Sequence, residues 1–526
     1  MHRLTLVRVP FTYRYNKVDV REEVILTQLS YYLDAIGVGH DIVDFHLDRS
    51  ATLDSIVGLD PAVVVIAVRE TGDNVHYALR LARALVAKGS ARVVLYGQTA
   101  RLASHPDLPA QVELVVHSER ALAGALGLEA SGPPFEDGLL VAPYADRLPL
   151  EPWQRTRLRG TIETTRGCPY PCDFCFINAG RNHDRRWSRQ RTADTIAALG
   201  RYRDRGMQAF VFHDSEFVGG SPGDLAQRDE LAEAMLREMP DIYFKVYARA
   251  DTILKVRNLD RLRDAGLVSV FMGVESLVQA DLDRLDKRLS VATTQAAIEA
   301  LAARDIFMDL SFILFNRNTT LATLRQNLAG IARLYGSRHA RLLGMPHFTF
   351  SFESTWRGAE TRPLSRRTYI GWDVRMKAPA ATGAVFDTGL EPLMEVYRLL
   401  AYEWSKKVVS LNLARDDATE VEREAIESWF RGLGLFCVET MLAFLDDFER
   451  GRLGIASLES ARERLFRRIE GHYRLLPARL AAPATIATHA GALDYAAGVG
   501  LVEEDEYWAA QIPELGAALS GAEQAA

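Results

Sequence analysis

The sequence predicts an α/β protein built from a doubly wound N-terminal domain, a partial (βα)6 barrel and a mainly helical C-terminal domain. Three observations predict this. Short apolar segments alternate with helical patterns through residues 1–145, six further strand–helix steps follow in residues 146–350, and helical periodicity dominates residues 351–526. We take these three ranges as the predicted domains of the 526-residue chain.

Bulk composition indicates a soluble globular protein. Hydrophobic residues make up 48% of the chain and charged residues 25%, which is ordinary for folded domains. The net charge of −6 gives no sign of nucleic-acid binding. The N-terminus lacks the pattern of a signal peptide, and no apolar run is long enough to cross a bilayer. We therefore expect a cytoplasmic protein with no membrane partner.

The first domain is predicted from alternating strands and helices. Strands are expected at 4–9, 42–47, 62–68, 92–96 and 112–117, and helices at 22–36, 75–88 and 119–126. The segment 62–68 is entirely apolar, which is typical of a strand buried on both faces. Ligands of such domains bind at the carboxyl ends of the strands. The loops there carry no G-x-G-x-x-G motif, so a dinucleotide site is not expected.

The second domain continues the alternation with longer helices, and a mainly helical region follows it. Strands are expected at 160–164, 209–213, 243–248, 269–274, 306–314 and 341–350, with helices between them. Chemistry in such barrels takes place at the carboxyl ends of the strands. In the last domain, helices are expected at 392–407, 420–432, 438–450 and 458–475.

The cysteines are the strongest chemical signal. Of four in the chain, three fall within eight residues, Cys168, Cys172 and Cys175, in a C-x-x-x-C-x-x-C run after the first barrel strand. Thiolates ligate iron–sulfur clusters, and three of them leave one iron of a 4Fe–4S cluster open to another ligand. A zinc site is the alternative, but zinc sites usually pair C-x-x-C segments and no second Cys/His pair matches. The isolated Cys437 lies in an apolar helical segment typical of a buried structural thiol.

This cysteine run and its surroundings resemble the radical S-adenosylmethionine (AdoMet) superfamily. The resemblance implies that the three cysteines hold the 4Fe–4S cluster and that AdoMet chelates its open iron. It also implies further AdoMet contacts at the ends of the strands. These are Phe174 at the adenine, Asp214 or Glu216 at the ammonium, Arg249 at the carboxylate, and Glu275 in a G-x-E-S signature near the ribose.

The first domain resembles the cobalamin-binding domain that precedes many radical AdoMet barrels, as in the class B methyltransferases. Gly97 and Gln98 stand where that family has a Gly-Gly-Pro loop, and Arg69 and Thr71 end the third strand. His46 is not expected to ligate cobalt, because Arg49 replaces the glycine of the D-x-H-x-x-G motif and the run follows the wrong strand. The resemblance therefore implies cobalamin held without a protein histidine. A domain that has lost its ligand is the alternative.

The resemblance implies a radical reaction that begins with one-electron cleavage of AdoMet to a 5′-deoxyadenosyl radical. With cobalamin present, we expect methyl transfer to an unactivated carbon, or a phosphorus, of a small metabolite or peptide natural product. Rearrangement, cyclisation or sulfur insertion without methyl transfer, with or without cobalamin, is the alternative. A one-electron reductant such as flavodoxin or ferredoxin is the expected protein partner.

Overall fold

The computed structural model describes the strands and helices of all three predicted parts. The described residues are 3–9, 20–48, 50–68, 74–89, 91–97, 102, 108–116, 118–128, 140–170, 172, 175, 187–315, 319–344, 346–350, 369–370 and, with short gaps, 389–481. Among the predicted site residues, Arg69, Thr71, Gln98 and Phe174 lie outside these ranges.

The N-terminal part is a five-stranded parallel sheet in the order β2-β1-β3-β4-β5. Its strands are β1 Leu4–Arg8, β2 His40–Asp44, β3 Val63–Val68, β4 Arg92–Gly97 and β5 Glu113–Val116, and its helices are α1 Val24–Ala35, α2 Leu53–Val57, α3 Asn74–Lys88 and α4 Glu119–Leu126. Every residue of β3 is buried, since apolar clusters cover both faces of the sheet. The strand order reverses between β1 and β3, which is where doubly wound sheets bind ligands.

The second sheet is an open barrel of six parallel strands with one antiparallel strand at its edge, in the order β14-β13-β12-β11-β10-β9-β6. Its strands are β6 Gly160–Ile162, β9 Ala209–Phe212, β10 Tyr243–Ala248, β11 Leu267–Glu275, β12 Phe307–Phe315, β13 His347–Phe350 and β14 Tyr369–Ile370. A separate antiparallel ribbon, β7 Thr165–Arg166 with β8 Ser188–Arg189, lies between β6 and β9 along the chain.

The barrel helices connect consecutive parallel strands. Helix α5, Pro152–Arg155, precedes the sheet, and the others are α6 Thr192–Arg203, α7 Pro222–Glu238, α8 Ala250–Ile253, α9 Leu259–Asp264, α10 Gln279–Arg284, α11 Val291–Ala302 and α12 Leu321–Tyr335. One contiguous apolar cluster runs from the barrel into the C-terminal helices. The predicted α/β fold class is confirmed; the exact domain boundaries remain predictions.

The C-terminal part corrects one expectation. Residues 420–432 and 438–450 do not form two helices; they belong to one 30-residue helix, α13 Glu420–Glu449, followed by α14 Leu458–Tyr473 and α15 Ala478–Ala481. The helix continues through the glycines at 432 and 434, although glycine is unfavourable inside a helix. Gly434 lies against Tyr335 of α12, and an added Cβ would stand 2.3 Å from that ring.

Helix α13 is also long and apolar enough to be considered as a membrane-spanning helix. Within the described part of the chain it is the one helix whose length and composition would let it cross a membrane, and half of its apolar window is buried in the fold. Core helices of soluble proteins have the same properties.

The two glycines of α13 yield opposite predictions for the same substitution. Gly434→Ala should lower the free energy of unfolding by about 1–3 kcal/mol, because the methyl group collides with the buried Tyr335 ring. Gly432→Ala should raise it by up to about 1 kcal/mol, because position 432 is exposed and alanine favours helix. Urea unfolding of both variants followed by circular dichroism measures this. A Gly434→Ala variant as stable as the unmodified protein would contradict the proposed helix contact.

Candidate functional site

The three clustered cysteines lie in the loop that follows β6. The ribbon of β7 and β8 pairs Arg166 with Ser188 and so closes the base of this loop. Cys172 is buried, and Cys168 and Cys175 are half-buried; none of the three is in a disulfide. The backbone N–H of Cys175 donates to the carbonyl of Cys172 at 3.2 Å, so these two cysteines lie close together. One short loop at the carboxyl end of the barrel thus carries all three thiols.

This donor set fits a multinuclear cluster better than a single ion. Among the described residues, no three His, Cys, Asp or Glu side chains converge on one metal-ion position. In a 4Fe–4S cluster each thiolate ligates a different iron, so the sulfurs need not converge on one point. Burial raises the pKa of Cys168 to about 12 in the chain without a cluster, so ligation must be accompanied by loss of its proton.

Asp214, just after β9, holds the start of the cysteine loop. Its Oδ1 accepts from the backbone N–H groups of Thr164 at 2.5 Å and Thr165 at 2.8 Å, and its Oδ2 accepts from the Thr164 hydroxyl at 2.7 Å. Burial raises the pKa of Asp214 to about 6, although the charge of Arg228 and these hydrogen bonds act in the opposite direction. A carboxylate has about four acceptor positions, so three of them are used within the protein.

Glu216 likewise accepts hydrogen bonds from the residues that follow the next strand, β10. Its Oε2 accepts from the backbone N–H of Arg249 at 2.9 Å, and its Oε1 accepts from the Thr252 hydroxyl at 2.8 Å and the Val218 N–H at 3.1 Å. Burial raises the pKa of Glu216 to about 7 against the effect of these donors. Both acids thus tie neighbouring loops together. That either one receives the AdoMet ammonium remains a prediction.

Arg249 directly follows β10, and its side chain reaches the cysteine loop. Its Nη1 donates to the Sγ of Cys172 at 3.1 Å, its Nη2 to the carbonyl of Lys287 at 2.8 Å, and its Nε to Asp251 at 3.0 Å. The guanidinium lies 4.1 Å from the centre of the Tyr170 ring. The side chain predicted to bind the AdoMet carboxylate therefore contacts a predicted cluster ligand in the chain without AdoMet.

Glu275 ends β11 and forms a buried ion pair. Its Oε1 accepts from the Nζ of Lys287 at 2.8 Å, and its backbone adopts φ = 65°, where the strand pairing with β12 shifts register. Gly273 provides the space for this pair, because an added Cβ there would stand 2.3 Å from the Glu275 carboxylate. Steric exclusion of a side chain at position 273 thus explains why glycine precedes the glutamate in the G-x-E part of the G-x-E-S signature. The serine, Ser276, donates to Asp281 at 3.1 Å and caps the next turn.

The first domain contacts the barrel beside the cysteine loop. Arg166, two residues before Cys168, donates through both Nη atoms to the Glu119 carboxylate at 3.2 and 3.3 Å. Gln28 of α1 bridges the same interface, accepting from Arg166 at 3.0 Å and donating to Glu163 at 3.0 Å. Sequence reasoning missed these residues. The position of Arg166 beside Gly167 and Cys168 was the only available signal, because its partners are distant in sequence.

Gly97 is the one predicted cobalamin contact within the described residues. It ends β4 at φ = 127°, and an added Cβ would stand 2.4 Å from the carbonyl oxygen of Val68 on β3. Glycine is therefore required at this carboxyl end of the sheet. His46, already excluded as a cobalt ligand, is buried, and its backbone N–H donates to Asp44 at 2.8 Å.

Removal of the Asp214 carboxylate tests whether its hydrogen bonds stabilise the start of the cysteine loop. In Asp214→Ala, two backbone N–H groups lose their acceptor. We expect the free energy of unfolding to fall by about 1–3 kcal/mol for each of these groups that water does not reach. Iron bound after anaerobic reconstitution should fall together with the urea midpoint. Glu230→Ala, on the exposed face of α7, is the control. Full iron content and unchanged stability in Asp214→Ala would contradict this role.

Comparisons with known proteins agree with this geometry. Residues 162–324 match the family described as the Radical SAM superfamily. An anaerobic magnesium-protoporphyrin IX monomethyl ester cyclase from Cereibacter sphaeroides is 29% identical over 164 residues, covering 31% of this chain and 26% of the cyclase. A hopanoid C-3 methylase from Methylococcus capsulatus is 27% identical over 202 residues, covering 36% of each chain. The chain thus spans well under two thirds of the length of these relatives.

A solved structure extends the likeness to almost the whole chain. The cobalamin-dependent S-adenosylmethionine radical enzyme OxsB with aqua-cobalamin bound superposes with a TM-score of 0.60 at 16% identity, covering 95% of this chain and 84% of OxsB. At this identity the likeness establishes the fold. The cysteine loop and the open barrel behind it lie in the segment that matches the Radical SAM superfamily, and the fold of the chain as a whole is similar to that of OxsB.

Proposed function

We propose that this chain is a cobalamin-dependent radical SAM methyltransferase. The observation that carries the proposal is the placement of three cysteine thiols on one loop at the carboxyl end of an open barrel, with a doubly wound domain joined to that loop through Arg166 and Glu119. This arrangement brings the proposed cluster site beside the domain that would hold a second cofactor. The acceptor of the methyl group would be an unactivated carbon, or a phosphorus, of a small metabolite or peptide natural product.

The residues around the cluster site would position its ligands and exclude water. Cys168, Cys172 and Cys175 would hold a 4Fe–4S cluster, which, with AdoMet on its open iron, supplies a 5′-deoxyadenosyl radical. Asp214 and Glu216 would keep the loop rigid, because their carboxylates satisfy buried backbone donors. Phe174, Arg249 and Glu275, together with one of the two acids, are the proposed AdoMet contacts.

The N-terminal domain would hold the cobalamin, which supplies a methyl group carrier. Gly97 supports this assignment by its position, because it lies at the carboxyl end of the sheet on β4, next to the strand β3 that borders the switch point. Arg69, Thr71 and Gln98 are the other proposed contacts. The proposed domains are 1–145 for cobalamin, 146–350 for the radical reaction and 351–526 for closing the barrel over a substrate.

Cyclisation or rearrangement without methyl transfer is the second candidate. One relative is named a cyclase and another a methylase, and both align at similar identity over a similar share of this chain. In either case we propose flavodoxin or ferredoxin as electron donor and a small-molecule or peptide substrate. A reducing cytoplasm suits three free thiols committed to a cluster.

The fourth cysteine provides a matched control for the cluster ligands. Cys168→Ala, Cys172→Ala and Cys175→Ala should each abolish the cluster absorption and the formation of 5′-deoxyadenosine, because each removes a thiolate ligand. Cys437→Ala should preserve both, since Cys437 is fully buried within α13. Iron and sulfide analysis after anaerobic reconstitution measures this. A triple-cysteine variant that still formed 5′-deoxyadenosine from AdoMet would overturn the cluster assignment.

Cofactor and product analysis tests the function as a whole. The protein should be purified anaerobically from cells supplied with cobalamin and then assayed for iron, sulfide and corrin. We expect about four irons and about one corrin per chain, since the proposed sites are a single 4Fe–4S cluster and a single cobalamin. S-adenosylhomocysteine should accompany 5′-deoxyadenosine if a methyl group is transferred. A full cluster without corrin would eliminate the cobalamin proposal, and 5′-deoxyadenosine alone would favour cyclisation or rearrangement.

A further inference from the structure

The Arg249 guanidinium is held in one orientation by contacts on several sides. Asp251 accepts from Nε and the Lys287 carbonyl accepts from Nη2, while the Tyr170 ring lies under the guanidinium plane. The backbone N–H of Arg249 is fixed as well, by the buried Glu216 carboxylate. These contacts leave Nη1 directed at the sulfur of Cys172, 3.1 Å away. The fork of the guanidinium is thus pre-organised before any ligand binds.

A second buried cation at this site pairs with a carboxylate. The Nζ of the buried Lys287 donates to Glu275 at 2.8 Å. Lys287 is neutralised by its ion pair with Glu275, and the Arg249 Nε is engaged by Asp251. The Nη1 donor of Arg249 therefore makes the direct polar contact with the sulfur, in a buried setting where such a contact is strong.

We propose that Arg249 is a positioning residue of the iron–sulfur cluster: its N–H···S hydrogen bond orients Cys172 and raises the reduction potential of the cluster. The inference rests on the proposed cluster. Hydrogen bonds to cysteine sulfur and nearby positive charge are general determinants of cluster potential. This role differs from binding the AdoMet carboxylate, because it operates before AdoMet arrives.

The electron balance is simple. An external one-electron reductant such as flavodoxin or ferredoxin is oxidised by one electron, and the oxidised cluster takes it up without breaking a bond. The added negative charge is shared with the cysteine sulfurs, so the charge-assisted hydrogen bond from Arg249 strengthens on reduction. Loss of that donor should therefore make the cluster harder to reduce.

An anaerobic redox titration without AdoMet tests this, with the reduced cluster followed by electron paramagnetic resonance. In Arg249→Met we expect the ratio of oxidised to reduced cluster at a fixed potential to rise about tenfold, equivalent to a midpoint about 59 mV lower for a one-electron couple. Arg249→Lys, which keeps the charge but loses the fork, should show a smaller shift in the same direction. Arg304→Met is the matched control, because Arg304 pairs with Asp260 at the opposite end of the barrel.

Iron and sulfide contents distinguish the outcomes. If the unmodified protein binds no cluster, the proposed function fails; if it does and Arg249→Met has an unchanged potential, this inference is overturned. An unchanged potential with weaker AdoMet binding would assign Arg249 to the AdoMet carboxylate instead. If Arg249→Met takes up no iron, Tyr170→Leu decides, with Tyr170→Phe as its control: the leucine removes the ring beneath the guanidinium, whereas the phenylalanine keeps the ring and removes only the hydroxyl that donates to the Gly219 carbonyl. A lower midpoint in Tyr170→Leu supports the role, and an unchanged one refutes it.

Discussion

The site depends on one constraint: backbone donors that end the barrel strands are buried, and carboxylates buried with them must satisfy them. Asp214 accepts from the two residues that lead into the cysteine loop, and Glu216 accepts from the residue that leads out of β10. A buried carboxylate is costly unless it is saturated with hydrogen bonds, and the raised pKa values of both acids reflect that cost. Because each acid links the ends of two neighbouring strands by hydrogen bonds, the strand ends of the barrel are fixed relative to one another. The residues that lead into the cysteine loop are fixed with them.

The same end of the barrel connects to the N-terminal domain. Arg166 belongs to the β7–β8 ribbon two residues before Cys168, and its bidentate contact with Glu119 reaches the first turn of α4. A bidentate pair fixes orientation as well as distance. Gln28 and Glu163 extend the contact to α1 and to the end of β6. This interface sets the relative position of the two domains, and it lies within two residues of the first cysteine of the loop.

Most of the fold was predictable because hydrophobic periodicity is a local property. The fully apolar β3, the strand at 243–248 and the helix at 119–126 appear where the pattern placed them. Helix α13 shows the limit of that reasoning. Two separate helices were expected there, yet the helix is continuous, and Gly434 within it is required for close packing against Tyr335, a residue about a hundred positions away in sequence. From the sequence alone, a glycine that ends a helix cannot be distinguished from one that makes room for a side chain packed against the helix.

What the sequence by itself determined was the chemistry: three thiols at cluster spacing, acids and an arginine at strand ends, and a parallel α/β frame to carry them. These follow from residue type and spacing along the chain. The tertiary structure alone decided what each polar group contacts. It turned Asp214 and Glu216 toward backbone donors, directed Arg249 at Cys172, paired Glu275 with Lys287 and placed Glu119 beside Arg166. The physical reason is that a buried polar atom must find a partner, and that partner is set by which strand ends are neighbours in the sheet.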